Sequence, residues 1–216
     1  IDADESNYGL HRHLGMKNPK DFTGFFGGKE NVLNDMMLSN FSRQFFSESW
    51  QLEDIPEGYY TEKNGIKLVV SGKIHQANEG CACAMGTIIK QFVANLTLSE
   101  EQIAILDMDA GIEHFGRGLD NEVDVILVIC DPSYESLQLA KKIKELADNI
   151  QKPVYYILNK VQDGSEEILE NAIVDKSLIL AVYPMKNQLL QAALRGEELK
   201  ADTLDTSIVA KKILQG

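Results

Sequence analysis

The sequence is poor in positive charge: 21 lysines and arginines stand against 33 acidic residues, for a formal net charge of −12. Nonspecific nucleic-acid binding works by neutralising phosphates with cationic side chains, so this surface repels DNA and RNA. Cysteine is scarce too. Three in 216 residues make no disulfide framework, and a reducing, cytoplasmic compartment is the expectation. Long apolar runs are missing: the stretch from Val125 to Cys130 is far too short to span a bilayer. The segment from Thr203 to Leu214 sets Leu204, Ile208, Val209 and Ile213 on one side, but its only cations are Lys211 and Lys212. Two cations are too few for a stable membrane anchor, so a helix docked on the rest of the protein is expected.

What is present is ordinary for a globular protein: 44% hydrophobic and 25% charged residues, enough for one domain over residues 1–216 with a substantial core. Short apolar runs alternate with helical periodicity through the second half. Val123 to Cys130 reads as a parallel strand covered on both faces, and Ser133 caps a helix running to Asn149. Pro153 opens another strand, Ser165 to Ala172 is helical, and Ser177 to Val182 is a strand. Asn187 to Arg195 is a helix closed by Gly196. Earlier, a helix from about Thr87 to Leu96 precedes a central strand, Gln102 to Asp107. This alternation predicts an α/β fold: a doubly wound, mostly parallel sheet with helices on both faces.

Residues 17–65 are less regular and read as a helical insertion. Asn7 to Met16 forms a short helix ahead of it. Within it, Asn31 to Leu38 and Phe41 to Trp50 are expected helices, the second carrying Phe41, Phe45, Phe46 and Trp50 on one apolar face. Gly24 to Lys29 is read as a loop. Asn64-Gly65 ahead of Ile66 to Val70 signals a hairpin.

The chemistry gathers where apolar runs stop at polar residues. Ile103-Ala104-Ile105-Leu106 ends on Asp107, with Met108-Asp109-Ala110-Gly111 following. Ligands of open α/β sheets sit beyond the carboxyl ends of the strands, and an Asp there in a phosphate-handling fold holds Mg²⁺, directly or through water. Gly111 lets the backbone approach a phosphate closely. The chain opens on the same pattern, Ile1-Asp2-Ala3-Asp4, and it recurs at Leu158-Asn159-Lys160 and at Tyr183-Pro184.

The run Asp107-Met108-Asp109-Ala110-Gly111-Ile112-Glu113-His114-Phe115-Gly116-Arg117-Gly118 resembles the switch II region of the MinD-like ATPases. Within them it is most similar to the CooC-type accessory ATPases that insert nickel into carbon monoxide dehydrogenase. Asp2-Ala3-Asp4, Cys81-Ala82-Cys83 and Leu158-Asn159-Lys160 support the likeness, which runs from Ile1 to about Gly196. One family feature is missing: no segment fits the phosphate-loop pattern G-x-x-x-x-G-K-[ST]. Lys29, after Gly27-Gly28, is followed by Glu30. The expectation is a sequence without the family's first strand, phosphate loop and first helix. Such a chain leaves apolar surface bare and strand backbone unpaired, so it is expected to be unstable alone.

The resemblance implies roles residue by residue. Asp4 orients the attacking water, Asp2 lies deeper and serves the metal, and Asp107 holds Mg²⁺ through water. Gly111 belongs to the loop that senses the γ-phosphate. Asn159 and Lys160 lie at the base, with Pro184 contributing backbone groups; the Asn159 amide suits an adenine edge. Cys81 and Cys83 are soft thiolate ligands suited to Zn²⁺, with Ni²⁺ also possible, and two such pairs complete a four-sulfur shell across a homodimer. The implied function is an ATP-dependent metallochaperone, with ATP and Mg²⁺ as cofactors and carbon monoxide dehydrogenase or a related metalloenzyme as client. Two other readings stand beside it: a MinD/ParA-like positioning or partition ATPase, and a scaffold that hydrolyses nothing.

Overall fold

The computed structural model describes residues 1–76, 82–109, 111–200 and 203–215. These form two compact units: Ile1–Ala110 with Arg117–Glu122, and Gly111–Gly116 with Val123–Gly216.

In the first unit, helix α1 (Leu10–His13) is a single turn, shorter than the helix expected over Asn7 to Met16. A 3-10 turn, Phe22–Phe26, leads into α2 (Gly28–Leu38). The stretch read as a loop is therefore the end of one helical turn and the start of a helix. Gly27 and Gly28 both have positive φ, which only glycine adopts freely, and they allow the reversal between the two. Strands β1 (Thr61–Lys63) and β2 (Ile66–Leu68) pair antiparallel. Their turn residues Asn64 and Gly65 have φ of 54° and 77°, the left-handed pair that a tight hairpin requires.

Helix α3 (Cys83–Asn95) buries Ala84, Met85, Ile88, Ile89 and Phe92 along one stripe, the pattern of a surface helix facing a core. It packs against α2 and the 3-10 turn. The expected helix over Phe41 to Trp50 is absent; that stretch is irregular. Its aromatics still serve the core. Phe46 is buried, and Phe45 and Trp50 pack partly buried beside it. Phe22, fully enclosed, has Phe92 at 5.0 Å and Trp50 at 6.1 Å between ring centroids, both edge to face. Phe41, with positive φ, is exposed. Packing on Phe22 and Phe92 draws Phe46 and Trp50 inward and displaces the helix their spacing favours.

Helix α4 (Glu113–Arg117) follows the Asp107 segment. In the second unit, β3 (Ile126–Cys130), β4 (Val154–Val161) and β5 (Ile179–Pro184) form a parallel sheet in the order β3-β4-β5. Helices α5 (Tyr134–Asn149) and α6 (Glu166–Ala172) connect the strands, then come α7 (Asn187–Arg195) and α8 (Ser207–Gln215). Side chains alternate across β4 as a strand demands. Val154, Tyr156 and Leu158 join the core under α5 and α6, while Tyr155 and Ile157 join the cluster containing Val209 of α8. The sheet thus carries helices on both faces. Ser133 caps α5 by accepting a hydrogen bond from the Ser136 amide, and Gly196 ends α7 in the left-handed conformation.

Candidate functional site

Residues 1–3 run between two other extended segments. The Asp2 amide donates to the Val69 carbonyl at 2.8 Å, and the Ser71 amide donates to the Asp2 carbonyl at 2.9 Å. On the other side the Asp107 amide donates to the Ile1 carbonyl, and the Ala3 amide to the Asp107 carbonyl, both at 2.9 Å. Both pairings are parallel. The Ile1 amino group also donates to the Ile105 carbonyl at 2.7 Å, so the strand expected over Gln102 to Asp107 is paired here from Ile105 to Asp107. Its tip lies beside the Asp2-Ala3-Asp4 turn, so the acidic ends of two apolar runs are neighbours.

Beneath them sits Lys73, which no local sequence signal marks. Its Nζ lies 2.8 Å from each Asp2 carboxylate oxygen and donates to the Asp4 carbonyl at 2.5 Å. Three acceptors meet the three N–H donors of an ammonium. The Lys73 and Asp2 side chains are only 2% and 3% exposed, so each charge depends on the other. The neighbouring backbone is strapped down as well. The Lys73 amide donates to Asp21 Oδ2, and Lys29 Nζ donates to the Lys73 carbonyl. The Ile74 amide donates to the Glu5 carbonyl, and His75 Nε2 lies 3.1 Å from Asp21 Oδ2.

The three carboxylates differ electrostatically. Burial pushes the Asp2 carboxyl above its ordinary value, against the pull of Lys73. Burial likewise pushes Asp107 up, and the negative charges of Asp2 and Asp4 push in the same direction. Asp4 goes the other way. Partial burial raises it, but the Ser6 hydroxyl and the Ser6 and Asn7 amides all donate to its Oδ1 and together hold it below the usual carboxylate range. Asp2 and Asp107 are therefore both harder to ionise than an ordinary carboxyl, and Asp4 easier.

The second unit has its own polar cluster at the carboxyl end of its sheet. Asp131 follows β3, and its Oδ1 accepts from Asn159 Nδ2 at 2.9 Å. Lys160 Nζ pairs with the other carboxylate oxygen. Pro184 ends β5 in register with Val161, and the Met185 amide donates to the Val161 carbonyl. Asp131 was not anticipated as a partner of Asn159. The available signal was its place directly after an apolar strand, the same signal that marked Asp107.

The remaining candidates are less defined. Gly111 belongs to the second unit and carries no positive φ; a Cβ there would meet the Glu113 carboxylate. Asp109 is exposed. Cys83 is the first residue of α3, whereas Cys81 lies outside the described residues. Among the described residues no group of three potential metal ligands comes together. Cys130 is fully buried, and burial, with Asp131 nearby, pushes its thiol up to about 11; it is a core residue. Among the described residues no helix is long and apolar enough to cross a membrane.

No family model matches the chain. Individual proteins do. An uncharacterized ATP-binding protein of Methanocaldococcus jannaschii is 42% identical over 205 residues, covering 94% of this chain and 82% of that protein. A second such protein from the same organism is 30% identical over 156 residues, 71% of this chain and 61% of its own length. The carbon monoxide dehydrogenase accessory protein CooC of Rhodospirillum rubrum is 34% identical over 112 residues, which is 51% of this chain and 43% of CooC.

Proposed function

Because the chain belongs to the CooC/MinD-like family of ATP-binding proteins, we propose that it binds ATP with Mg²⁺ at the tips of its strands and uses hydrolysis to drive delivery of a metal ion. The observation that carries this reading is the backbone pairing of the Asp107 segment with the Asp2-Ala3-Asp4 turn, which the buried Lys73 holds in place. Phosphoryl transfer asks the protein chiefly for charge neutralisation and an oriented nucleophile.

Asp107 is the residue to hold Mg²⁺ through water, since a cation offsets the burial and the carboxylate repulsion that raise its pKa. When bound, the ion supplies charge neutralisation for the phosphate oxygens. Asp4, kept ionised by Ser6 and Asn7, accepts a hydrogen bond from the attacking water and orients it. Asp2 acts one step removed, holding Lys73 so that the ammonium fixes the Asp4 carbonyl and with it the turn. Asn159 takes the base, flanked by Lys160 and the Pro184 end of β5, and Gly111 gives the loop after Asp107 room to respond to the γ-phosphate. No G-x-x-x-x-G-K-[ST] stands within these 216 residues, so they are assigned the metal, water and base contacts and not the main grip on the phosphates.

The cargo is a soft or borderline ion, Ni²⁺ or Zn²⁺, taken by Cys81 and Cys83 of two chains in a homodimer; Cys83 is disulfide-bonded in this structure, so it ligates only in its reduced, thiolate form. The recipient is a metalloenzyme of the carbon monoxide dehydrogenase kind; the name of the Rhodospirillum rubrum relative supports this. Nucleotide does its work by favouring the closed dimer over the open form.

Equilibrium titration with a fluorescent ATP analogue and Mg²⁺ tests the core of the reading. Binding by the wild type is expected, with Asp4→Asn retaining binding and losing at least about tenfold in hydrolysis. A chain that binds no nucleotide overturns it. For the cargo, Ni²⁺ titration of wild type and of Cys81→Ser/Cys83→Ser should give a clear loss of affinity in the variant; equal affinities would remove the delivery step.

A further inference from the structure

We propose that Asp131 is a positioning residue that fixes the orientation of the Asn159 side chain and so makes the base site select adenine over guanine. The inference rests on the reading of Asn159 as the base contact and names what sets its selectivity.

β3 and β4 are parallel neighbours with Cys130 opposite Leu158, so Asp131, just past the end of β3, stands beside Asn159 of β4. An amide has two different ends, and rotation about its last bond exchanges them. A carboxylate offers acceptors only. With Asp131 Oδ1 at 2.9 Å from Asn159 Nδ2, the amide turns its NH₂ towards Asp131, because the opposite orientation would set two oxygens against each other.

Lys160 completes the arrangement. Successive side chains of a strand point to opposite faces, so Asn159 and Lys160 would ordinarily diverge. Lys160 instead adopts a left-handed backbone, φ 53°, where the pairing of β4 with β5 is irregular between Leu158 and Val161. Its Nζ reaches Asp131 Oδ2 while Asn159 holds Oδ1. A non-glycine residue in this region is held against its own preference, a feature that gathers at functional sites. The carboxylate is thereby gripped at both oxygens.

With one N–H committed to Asp131, Asn159 has one N–H donor and one carbonyl acceptor left. Adenine presents a matching pair on one edge, the N7 acceptor beside the N6 donor. Guanine presents two acceptors, N7 and O6. An amide free to rotate can turn its whole NH₂ group towards guanine. One tied to Asp131 has to set its carbonyl oxygen against a guanine acceptor.

The test is competition binding of ATP and GTP, each with Mg²⁺, to the wild type and to Asp131→Asn, with Lys160→Met as a second variant in case the first is poorly folded. Asn at position 131 keeps the shape but also donates, so it permits the reversed amide. The wild type is expected to prefer ATP, and Asp131→Asn to lose about tenfold or more of that preference; Lys160→Met shifts the ratio the same way by less. A merely structural role would weaken both nucleotides equally, and an unchanged ATP-to-GTP ratio in the variants overturns the proposal. Equal binding of ATP and GTP by the wild type overturns it too, while leaving the nucleotide-binding function standing. A wild type that binds neither nucleotide overturns both.

Discussion

Two carboxylate–lysine pairs sit at strand ends, one in each unit, and they do different jobs because water reaches only one of them. Asp2 and Lys73 are sealed, with 3% and 2% of their side chains exposed. Asp131 and Lys160 are open, at 38% and 48%. In the sealed pair desolvation is severe, and only the full set of acceptors around Lys73 makes it tolerable; losing one partner strands a bare charge. In the open pair either charge can fall back on water, so the contact carries little stability but still sets direction. The first pair builds the acidic turn. The second aims a side chain.

The most forceful way to break this contrast is Lys73→Met. It leaves Asp2 buried without its counter-ion and should cost about 3–5 kcal/mol in chemical denaturation. Replacing both partners, Asp2→Leu with Lys73→Met, should recover most of that loss, because the penalty belongs to the stranded charge. A loss below about 1 kcal/mol in the single variant would show that the Asp2–Lys73 site admits water.

Asp107→Asn sharpens the comparison through pH. A carboxyl whose folded pKa is raised holds its proton more tightly when folded. It is neutral in both states below the ordinary value of 3.8 and weighs against the fold once pH climbs past that value. Asp107→Asn should therefore melt higher than the wild type at neutral pH and match it below 3.8. Mg²⁺ should raise the melting temperature of the wild type by binding the folded form, and should do less for the variant. Asp4 has the opposite sign: its lowered pKa contributes stability above the ordinary carboxylate value, lost as pH falls through the folded pKa. Asp4→Asn should thus melt lower at neutral pH. Identical pH profiles for wild type and Asp107→Asn would mean that no strain collects at Asp107.

The smallest effect is expected at the open pair. Lys160→Met should change stability by no more than about 1 kcal/mol, an amount further reduced by salt. A loss as large as that of Lys73→Met would erase the distinction between the pairs.

Features governed by near neighbours in the chain were legible without a structure. Ser133 marked the start of α5 and Gly196 the end of α7, since a cap depends on the hydrogen bonds of one turn. Asn64-Gly65 marked the hairpin for the same reason. Alternating apolar runs gave the parallel sheet, because strands covered on both faces have few other compositions. The acidic strand ends were visible as well, at Asp4 and at Asp107.

What depended on distant partners was not legible. The aromatic spacing from Phe41 to Trp50 favours a helix, but burial against Phe22 and Phe92 decided otherwise. Lys73 looked like any solvent-facing lysine until the fold brought it to Asp2, 71 residues away. Asp131 and Asn159 are 28 residues apart, joined only because β3 and β4 lie in register. Residue order by itself determined which carboxylates and amides end up at strand tips, since patterning and caps act over a few residues. Which of those groups touch, which are dry, and which are therefore strained was decided only when the chain closed on itself, because desolvation and ion pairing depend on distance through space.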